Sequence, residues 1–239
     1  MKPLALALLL TVTGILAAAE LGSEAFLERT RFPSAQSSYA MLDGIIQHRR
    51  DGGKMEEFPV YFGVLISGSR SRSELLIDNR EGYLVERIAG SGGKVAMKVD
   101  QLSGETKDPI AKRFHLKAED LATGFLFYRF LREDAAALVR GIPCRVLVLE
   151  APDKSEVARV FVARDYYFPL KVEFYPDAKL SGEPERTLET ASFKNENGLY
   201  YAELLNLYGS GWRTRIQFNA AKVGVPDPDR PPDIFRKIK

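Results

Sequence analysis

Short runs of alternating apolar and polar residues, separated by clusters of turn residues, dominate the chain after Pro59. In one such run Leu170, Val172 and Phe174 fall on one side of a strand, and the residues between them fall on the other. The same signal predicts strands at 60–66, 74–77, 83–88, 95–99, 144–149, 157–164, 170–175, 187–193, 199–208 and 212–223. Strands linked by such short turns indicate antiparallel hairpins.

Two stretches depart from the strand period. Over 36–50 apolar residues recur at three- and four-residue steps, which predicts an amphipathic helix with Ser34 as N-cap and a stop at Gly52. Residues 118–130 also fit a helix, whereas 133–140 favour helix by composition but lead straight into a strand, so this region is interpreted as mixed. The whole pattern predicts a mainly β (α+β) fold, a large curved or barrel-like antiparallel sheet with helices covering one side.

Residues 1–19 have the three parts of a secretory signal peptide. Lys2 supplies the positive charge, an uncharged Leu- and Ala-rich run follows, and small residues up to Ala19 form a cleavage site. The alternative is a retained membrane anchor, but a span needs roughly 20 apolar residues. We therefore expect cleavage before Glu20 and a single exported domain over 20–239. No cysteine stands directly after the cleavage site, so we do not expect a lipoprotein. No other segment is long and apolar enough to span a membrane, so we do not expect a membrane-spanning mature protein.

Charge and cysteine content narrow the functional classes further. The chain has 34 basic and 32 acidic residues without a basic stripe or a charge block, which argues against a nucleic-acid partner. The single cysteine, Cys144, cannot form an internal disulfide, and its apolar neighbours predict that it is buried. Stability must therefore come from packing.

The sequence offers no pattern that supports catalysis. The two histidines, His48 and His115, fit no metal-ligand motif, and both are expected to be structural. The glycine-rich stretch 90–94 lacks the spacing of a phosphate-binding loop and is interpreted as a hairpin turn. No Gly-x-Ser-x-Gly motif and no facing carboxylate pair occur in the sequence. We therefore expect a protein that is not an enzyme and that needs no metal or cofactor.

The aromatic and apolar residues are numerous enough to line the interior of the predicted sheet. Such an interior is either filled by side chains or left open as a ligand cavity, and composition leaves both alternatives open. Alternation predicts that the interior is faced by Val146, Val148, Leu170, Val172, Phe174, Ile216 and Phe218. Phe125 and Phe127 are expected to reach the same interior from the helical side.

Four segments resemble a known bacterial family. They are EDLATGFLFY at 119–128, GIPCRVL at 141–147, YFPLKVEFY at 167–175 and PDIF at 232–235. Together they look like the outer membrane lipoprotein-sorting proteins, distant relatives of the periplasmic carrier LolA. The likeness runs over most of the mature chain and is firm from about residue 115 onward.

This resemblance implies an unclosed antiparallel β-barrel with α-helices forming a lid, and a single LolA-like lipid-binding domain over 20–239. It further implies a periplasmic carrier that holds lipoprotein acyl chains or other lipids in an apolar interior. Inner- and outer-membrane lipoprotein-handling proteins would be further partners. Each buried methylene contributes about 0.8 kcal/mol, so acyl chains bind without any catalytic group. A non-transporting periplasmic sensor or interaction module on the same fold is the alternative.

Overall fold

The computed structural model describes residues 21–32, 37–89, 95–102, 108–196, 198–227 and 232–236. The expected signal peptide at 1–19 and the expected turn at 90–94 lie outside these residues, and both stay predictions. None of the helices in the described ranges combines the length and the apolar composition that a bilayer-spanning helix requires.

The described residues form twelve strands in one antiparallel sheet, with a few short helices. The strands are β1 Ser38–Arg50, β2 Glu56–Ser67, β3 Arg70–Ile77, β4 Glu81–Ala89, β5 Val95–Gln101, β6 Arg129–Val139, β7 Ile142–Glu150, β8 Val157–Ala163, β9 Pro169–Tyr175, β10 Arg186–Glu196, β11 Leu199–Gly209 and β12 Trp212–Gly224. The helices are α1 Ser23–Arg31, α2 Ile110–Arg113, α3 Ala118–Leu121 and a 3₁₀ helix at Gly124–Phe127.

The strand order leaves the sheet open. It runs β5-β4-β3-β2-β1-β12-β11-β10-β9-β8-β7-β6, so β5 and β6 are edge strands that do not pair with each other. The chain between these two edges carries α2, α3 and the 3₁₀ helix, which pack against the main hydrophobic cluster. The predicted fold, a large antiparallel unclosed barrel with a helical lid, is confirmed.

The helix predicted at 36–50 is wrong, because Ser38–Arg50 forms β1, whereas its predicted N-cap Ser34 lies outside the described residues. On one side of β1 the side chains of Ala40, Leu42 and Ile46 are buried in the main hydrophobic cluster. β1 lies in the centre of the sheet and pairs along its length with both β2 and β12. Hydrogen bonds on both sides therefore outweigh a local helical pattern, which is only a weak preference.

The bulge in the β1–β12 pair lies in β12 and leaves the alternation of β1 intact. Asp43 pairs with Ala220 and Gly44 with Phe218, so Asn219 is the extra residue. A Cβ at Gly44 would lie 2.0 Å from the carbonyl oxygen of Gln217, and only glycine permits this close approach of the two strands. The misleading spacing of β1 comes instead from apolar residues on both of its faces, since the half-buried Met41 and Ile45 alternate with the buried Leu42 and Ile46. Apolar residues on both faces of a strand mimic the three- and four-residue steps of a helix.

The region interpreted as mixed contains less helix than its composition suggests. Residues 118–127 form only α3 and the 3₁₀ helix, divided by Thr123 in the left-handed conformation with φ of 54°, and Arg129 and Phe130 already belong to β6. Residues 133–140 fall mostly in β6, where pairing with β7 overrides helix propensity.

Apolar side chains pack on both faces of the sheet. The main cluster lies on the face that we call inner, where α1 and the segment between β5 and β6 cover it. A second cluster on the outer face of β6–β9 contains Val139, Cys144, Val146, Phe161, Ala163 and Leu170. The predicted burial of Cys144 is confirmed, and this burial raises the pKa of its thiol.

The chain near its C-terminus docks on the outer face of β2 and β3. The Tyr61 hydroxyl donates a hydrogen bond to the carbonyl of Ile234, and the Arg236 backbone N–H donates to Glu74 at 2.7 Å. A Cβ at Gly63 would lie 2.8 Å from the Ile234 carbonyl oxygen, so glycine makes room for the docked segment. The segment at 232–236 is therefore held by specific contacts.

Candidate functional site

A cavity of about 260 Å³ lies between the inner face of the sheet and residues 117–128, which we call the lid segment. The lid segment contributes residues 120–123 and Phe125 to its walls, and both halves of the sheet supply the rest. The lining is mainly apolar and includes Leu42, Phe62, Val172, Leu188, Leu205 and Phe218. The volume lies just below the roughly 300–1,000 Å³ of sites for drug-sized ligands, so it suits one slender apolar chain.

Five of the sequence-predicted residues lie at or beneath this cavity. Phe125, Val172 and Phe218 line it directly. Phe174 and Ile216 lie two residues further along the same strand faces as Val172 and Phe218, buried within the main cluster. Alternation along β9 and β12 therefore predicted their side of the sheet, and their role as lipid contacts stays a prediction.

The two valines of β7 require a correction. Leu147 and Leu149 pack in the main cluster on the inner face, so the alternating Val146 and Val148 point to the outer face. Val146 packs there in the second cluster. Because β7 is buried on both faces, its hydrophobic run gives no indication of which side faces the interior.

Leu170 also requires a correction, because a bulge reverses its direction. Phe161 pairs with Lys171 and Val162 pairs with Pro169, so Leu170 is the extra residue of β9. Its side chain packs with Phe161 in the outer cluster, whereas Val172 faces the cavity. The alternation of apolar and polar residues in the sequence therefore continues through the bulge, whereas the direction of the side chains does not. For this reason the sequence pattern placed Leu170 on the wrong face of the sheet.

Phe127 lies at the contact between the lid segment and the sheet. Its ring is half-buried against the main cluster, 4.0 Å from the guanidinium carbon of Arg87 and 5.7 Å from that of Arg31. It does not line the cavity with Phe125. Sequence reasoning missed Arg87, although its place two residues after Val85 in β4 signals an arginine on an apolar strand face.

A buried network of polar side chains anchors the lid segment to the sheet. Arg186 of β10 donates hydrogen bonds to Asp120 at 2.5 Å and to both carboxylate oxygens of Glu156 at 3.2 Å. Lys117 and the Tyr128 hydroxyl also donate to Glu156, at 2.9 and 2.8 Å. Both ends of the lid segment are thus tied to the same carboxylate.

The acidic and basic groups of this network compensate one another's charge. Burial alone would raise the pKa of Glu156, but Arg186 and the hydrogen bonds from Lys117 and Tyr128 lower it below its ordinary value. The two carboxylates likewise raise the pKa of Arg186 despite its burial. Asp120 and Glu156 therefore hold the guanidinium as an ion, and each charge has its partner.

Helix α1 joins the lid segment through Arg31. The Arg31 guanidinium donates hydrogen bonds to the carbonyl oxygens of Leu126 at 2.7 Å and Tyr128 at 2.9 Å. Phe26 and Leu27 of the same helix are buried in the main cluster. Together α1 and the lid segment form the lid of the barrel.

We expect Arg31→Ala to loosen α1 without unfolding the sheet. Hydrogen bonds to charged groups contribute about 1.5–3 kcal/mol, so amide hydrogen exchange in α1 should accelerate about ten- to hundredfold. Glu28→Gln is the control, because it removes only the exposed partner of Arg31. Equal exchange rates in α1 for the two variants would contradict this role of Arg31.

The two histidines lie away from the cavity lining. His48 is buried, with Nδ1 2.8 Å from the Thr214 hydroxyl, and its ring stacks on Phe114. His115 stacks on Trp212 at 4.0 Å. Burial lowers the pKa of both imidazoles, which keeps them neutral within this aromatic stack. Within the described residues no group of three or more His, Cys, Asp and Glu side chains could hold a metal ion.

A sheet of this order with a covered apolar interior defines a class of fold, the unclosed lidded barrel. Solved structures place the chain in that class. A DUF1329 family protein from Desulfovibrio piger matches with a TM-score of 0.63 at 20% identity, over 85% of this chain and 92% of that one. A domain from Vibrio parahaemolyticus, named for outer membrane lipoprotein sorting, matches with a TM-score of 0.61 at 19% identity, over 85% and 94%.

A LolA superfamily protein from Nitrosomonas europaea also matches, with a TM-score of 0.52 at 19% identity, over 87% of this chain and 96% of that one. At about one fifth identity these likenesses establish a shared fold. The resemblance to LolA-related proteins that the sequence predicted is confirmed at that level. No protein-family model and no curated protein matches the chain.

Proposed function

We propose that this protein is a non-catalytic periplasmic carrier that binds lipoprotein acyl chains or other lipids in its cavity. The observation that carries the proposal is an apolar cavity of about 260 Å³ beneath a lid that is a separate element from the sheet and is anchored to it by a few side chains. The proposal includes cleavage of the signal peptide at 1–19 and a single lipid-binding domain over 20–239. It also includes transfer between inner- and outer-membrane lipoprotein-handling proteins.

The energetics favour an acyl chain as the cavity's occupant. A chain gains about 0.8 kcal/mol per buried methylene, so about six methylenes contribute about 5 kcal/mol. The walls offer side chains such as Leu42, Phe62 and Leu205, which match a hydrocarbon chain and require no directional contacts along it. Opening of the α1 part of the lid would admit the chain, at the cost of the Arg31 hydrogen bonds and of the packing of Phe26 and Leu27. The name of the Vibrio domain, outer membrane lipoprotein sorting, is consistent with such cargo.

A cavity-filling substitution tests the proposal. Ala40 lines the cavity from β1, and Ala40→Phe should weaken binding of a fluorescent long-chain fatty acid at least tenfold by occupying its space. Val64→Phe, from β2, is a second filling variant in case the first fails to fold. Titration of the probe, followed by its fluorescence, gives the dissociation constants.

The matched control places the same side chain on the surface. Ala220 of β12 is exposed, so Ala220→Phe should leave the affinity unchanged. Lipid extraction and mass spectrometry of the protein purified from the periplasm should also find acyl species. If the wild type binds no probe and carries no lipid, the carrier proposal fails, and the sensor module predicted from sequence becomes the better account.

A further inference from the structure

One end of the cavity carries a buried cation. Arg87 lies on the inner face of β4, lines the cavity, and is only 8% exposed. Among the described residues its Nε has no hydrogen-bond partner, and the guanidinium forms no ion pair. Burial is the one influence on its pKa, which falls to about 10, so the side chain is a cation at neutral pH.

Other buried arginines of the fold have carboxylate partners. Arg186 is matched by Asp120 and Glu156, and Arg145 is matched by Glu133 at 2.5 Å. The Phe127 ring, 4.0 Å from the Arg87 guanidinium carbon, provides a cation–π contact but no charge. A buried guanidinium without an anion is costly, so the absence of a carboxylate partner among the described residues points to an anion from outside.

Two serines lie beside Arg87 in the wall of the cavity. Ser71 lies directly opposite Arg87 in the β3–β4 register, and Ser73 lies opposite Val85 on the same side. Both serines line the cavity with Arg87. Their hydroxyls can donate hydrogen bonds beside the five N–H donors of the guanidinium. The lining also includes Asp120 and Lys171, but these are paired with Arg186 and Glu173. Most of the remaining lining is apolar, so Arg87 combines with it to suit an amphiphile.

We propose that Arg87, with Ser71 and Ser73, binds the anionic group of an amphiphile whose hydrocarbon chain fills the cavity. The inference rests on the carrier function proposed above and adds a ligand class, acyl chains that end in a carboxylate or a phosphate. The planar guanidinium binds both groups through paired hydrogen bonds, and the low polarity around it strengthens them. The Phe127 ring below the guanidinium holds it in position.

Binding of matched charged and uncharged chains tests the inference. Calorimetry would compare palmitate with 1-hexadecanol, which has the same chain length but no charge. The wild type should bind palmitate at least tenfold more tightly than hexadecanol. Arg87→Met should lose this preference and keep the hexadecanol affinity. Arg87→Lys should keep part of the preference, since it keeps the charge and loses the paired geometry.

Arg72→Met is the matched control, because Arg72 is an exposed arginine of the adjacent strand β3 whose loss should leave both affinities unchanged. Equal affinities of the wild type for the two chains, or a preference that survives in Arg87→Met, would overturn the inference and leave the carrier function standing. Binding of neither chain would instead overturn both proposals. A third arm uses inorganic phosphate alone, and Arg87-dependent binding of free phosphate as tight as that of palmitate would overturn the requirement for a chain.

Discussion

Arg186→Met is expected to lower the free energy of unfolding by about 3–5 kcal/mol, the usual cost of removing one partner from a buried ion pair. The substitution leaves the carboxylates of Asp120 and Glu156 buried without their shared cation, and both residues are less than 10% exposed. It also removes the guanidinium from the face of Phe174. Urea denaturation, followed by far-UV circular dichroism, measures the change.

An exposed arginine provides the control for this prediction. Arg129 pairs with Glu150 at the surface, where ion pairs contribute about 0–1 kcal/mol, so Arg129→Met should change stability little. A second variant, Asp120→Asn, keeps the shape of the network and removes one charge. Its free energy of unfolding should lie between those of Arg186→Met and Arg129→Met. If Arg186→Met lost no more stability than Arg129→Met, the network would not anchor the lid.

This network gives the lid two different attachments. The lid segment is fixed to the sheet by buried charges, whereas α1 is fixed to the lid segment by the hydrogen bonds of Arg31 to two backbone carbonyls. Breaking the buried ion network costs more free energy than breaking the Arg31 hydrogen bonds, because it leaves ions exposed or buried without a partner. We therefore expect α1 to be the part of the lid that opens first when a ligand enters.

The strands could be predicted from sequence wherever turn residues bound a β-branched or aromatic run. All ten predicted runs fall almost entirely within observed strands, and the antiparallel order follows from the short connections between them. The helix predicted at 36–50 failed because apolar residues such as Ile45 and Ile46 lie on both faces of β1, and because two neighbouring strands supply hydrogen bonds that no local pattern reveals.

The candidate site was only partly predictable for related reasons. Val172 and Phe218 could be assigned to the interior by alternation, but the bulge at Leu170 and the two buried faces of β7 gave the wrong side for three residues. The remaining parts of the site depend on contacts between residues that are far apart in sequence. Asp120 and Arg186 are separated by 66 positions, and only the folded sheet brings them together.

Phe174→Ala is expected to lower the free energy of unfolding by about 3–5 kcal/mol, the range for truncating a buried phenylalanine. Phe174 is 1% exposed and lies between the sheet and the lid segment. Its face lies 3.6 Å from the guanidinium carbon of Arg186, and its ring centre lies 6.0 Å from that of Phe125, edge to face. Thermal or urea unfolding measures the loss.

The coupling of Phe174 to the network separates this role from simple packing. In a double-mutant cycle, Phe174→Ala and Arg186→Met should cost less together than the sum of the single losses, with a coupling of about 0.5–2 kcal/mol, because each removes the same cation–π contact. Phe193→Ala is the control. Phe193 of β10 is 39% exposed, so its truncation should lower the free energy of unfolding far less. Strict additivity in the cycle would show that ring and guanidinium act independently. The core beneath the cavity and the lid anchor would then contribute to stability as separate units.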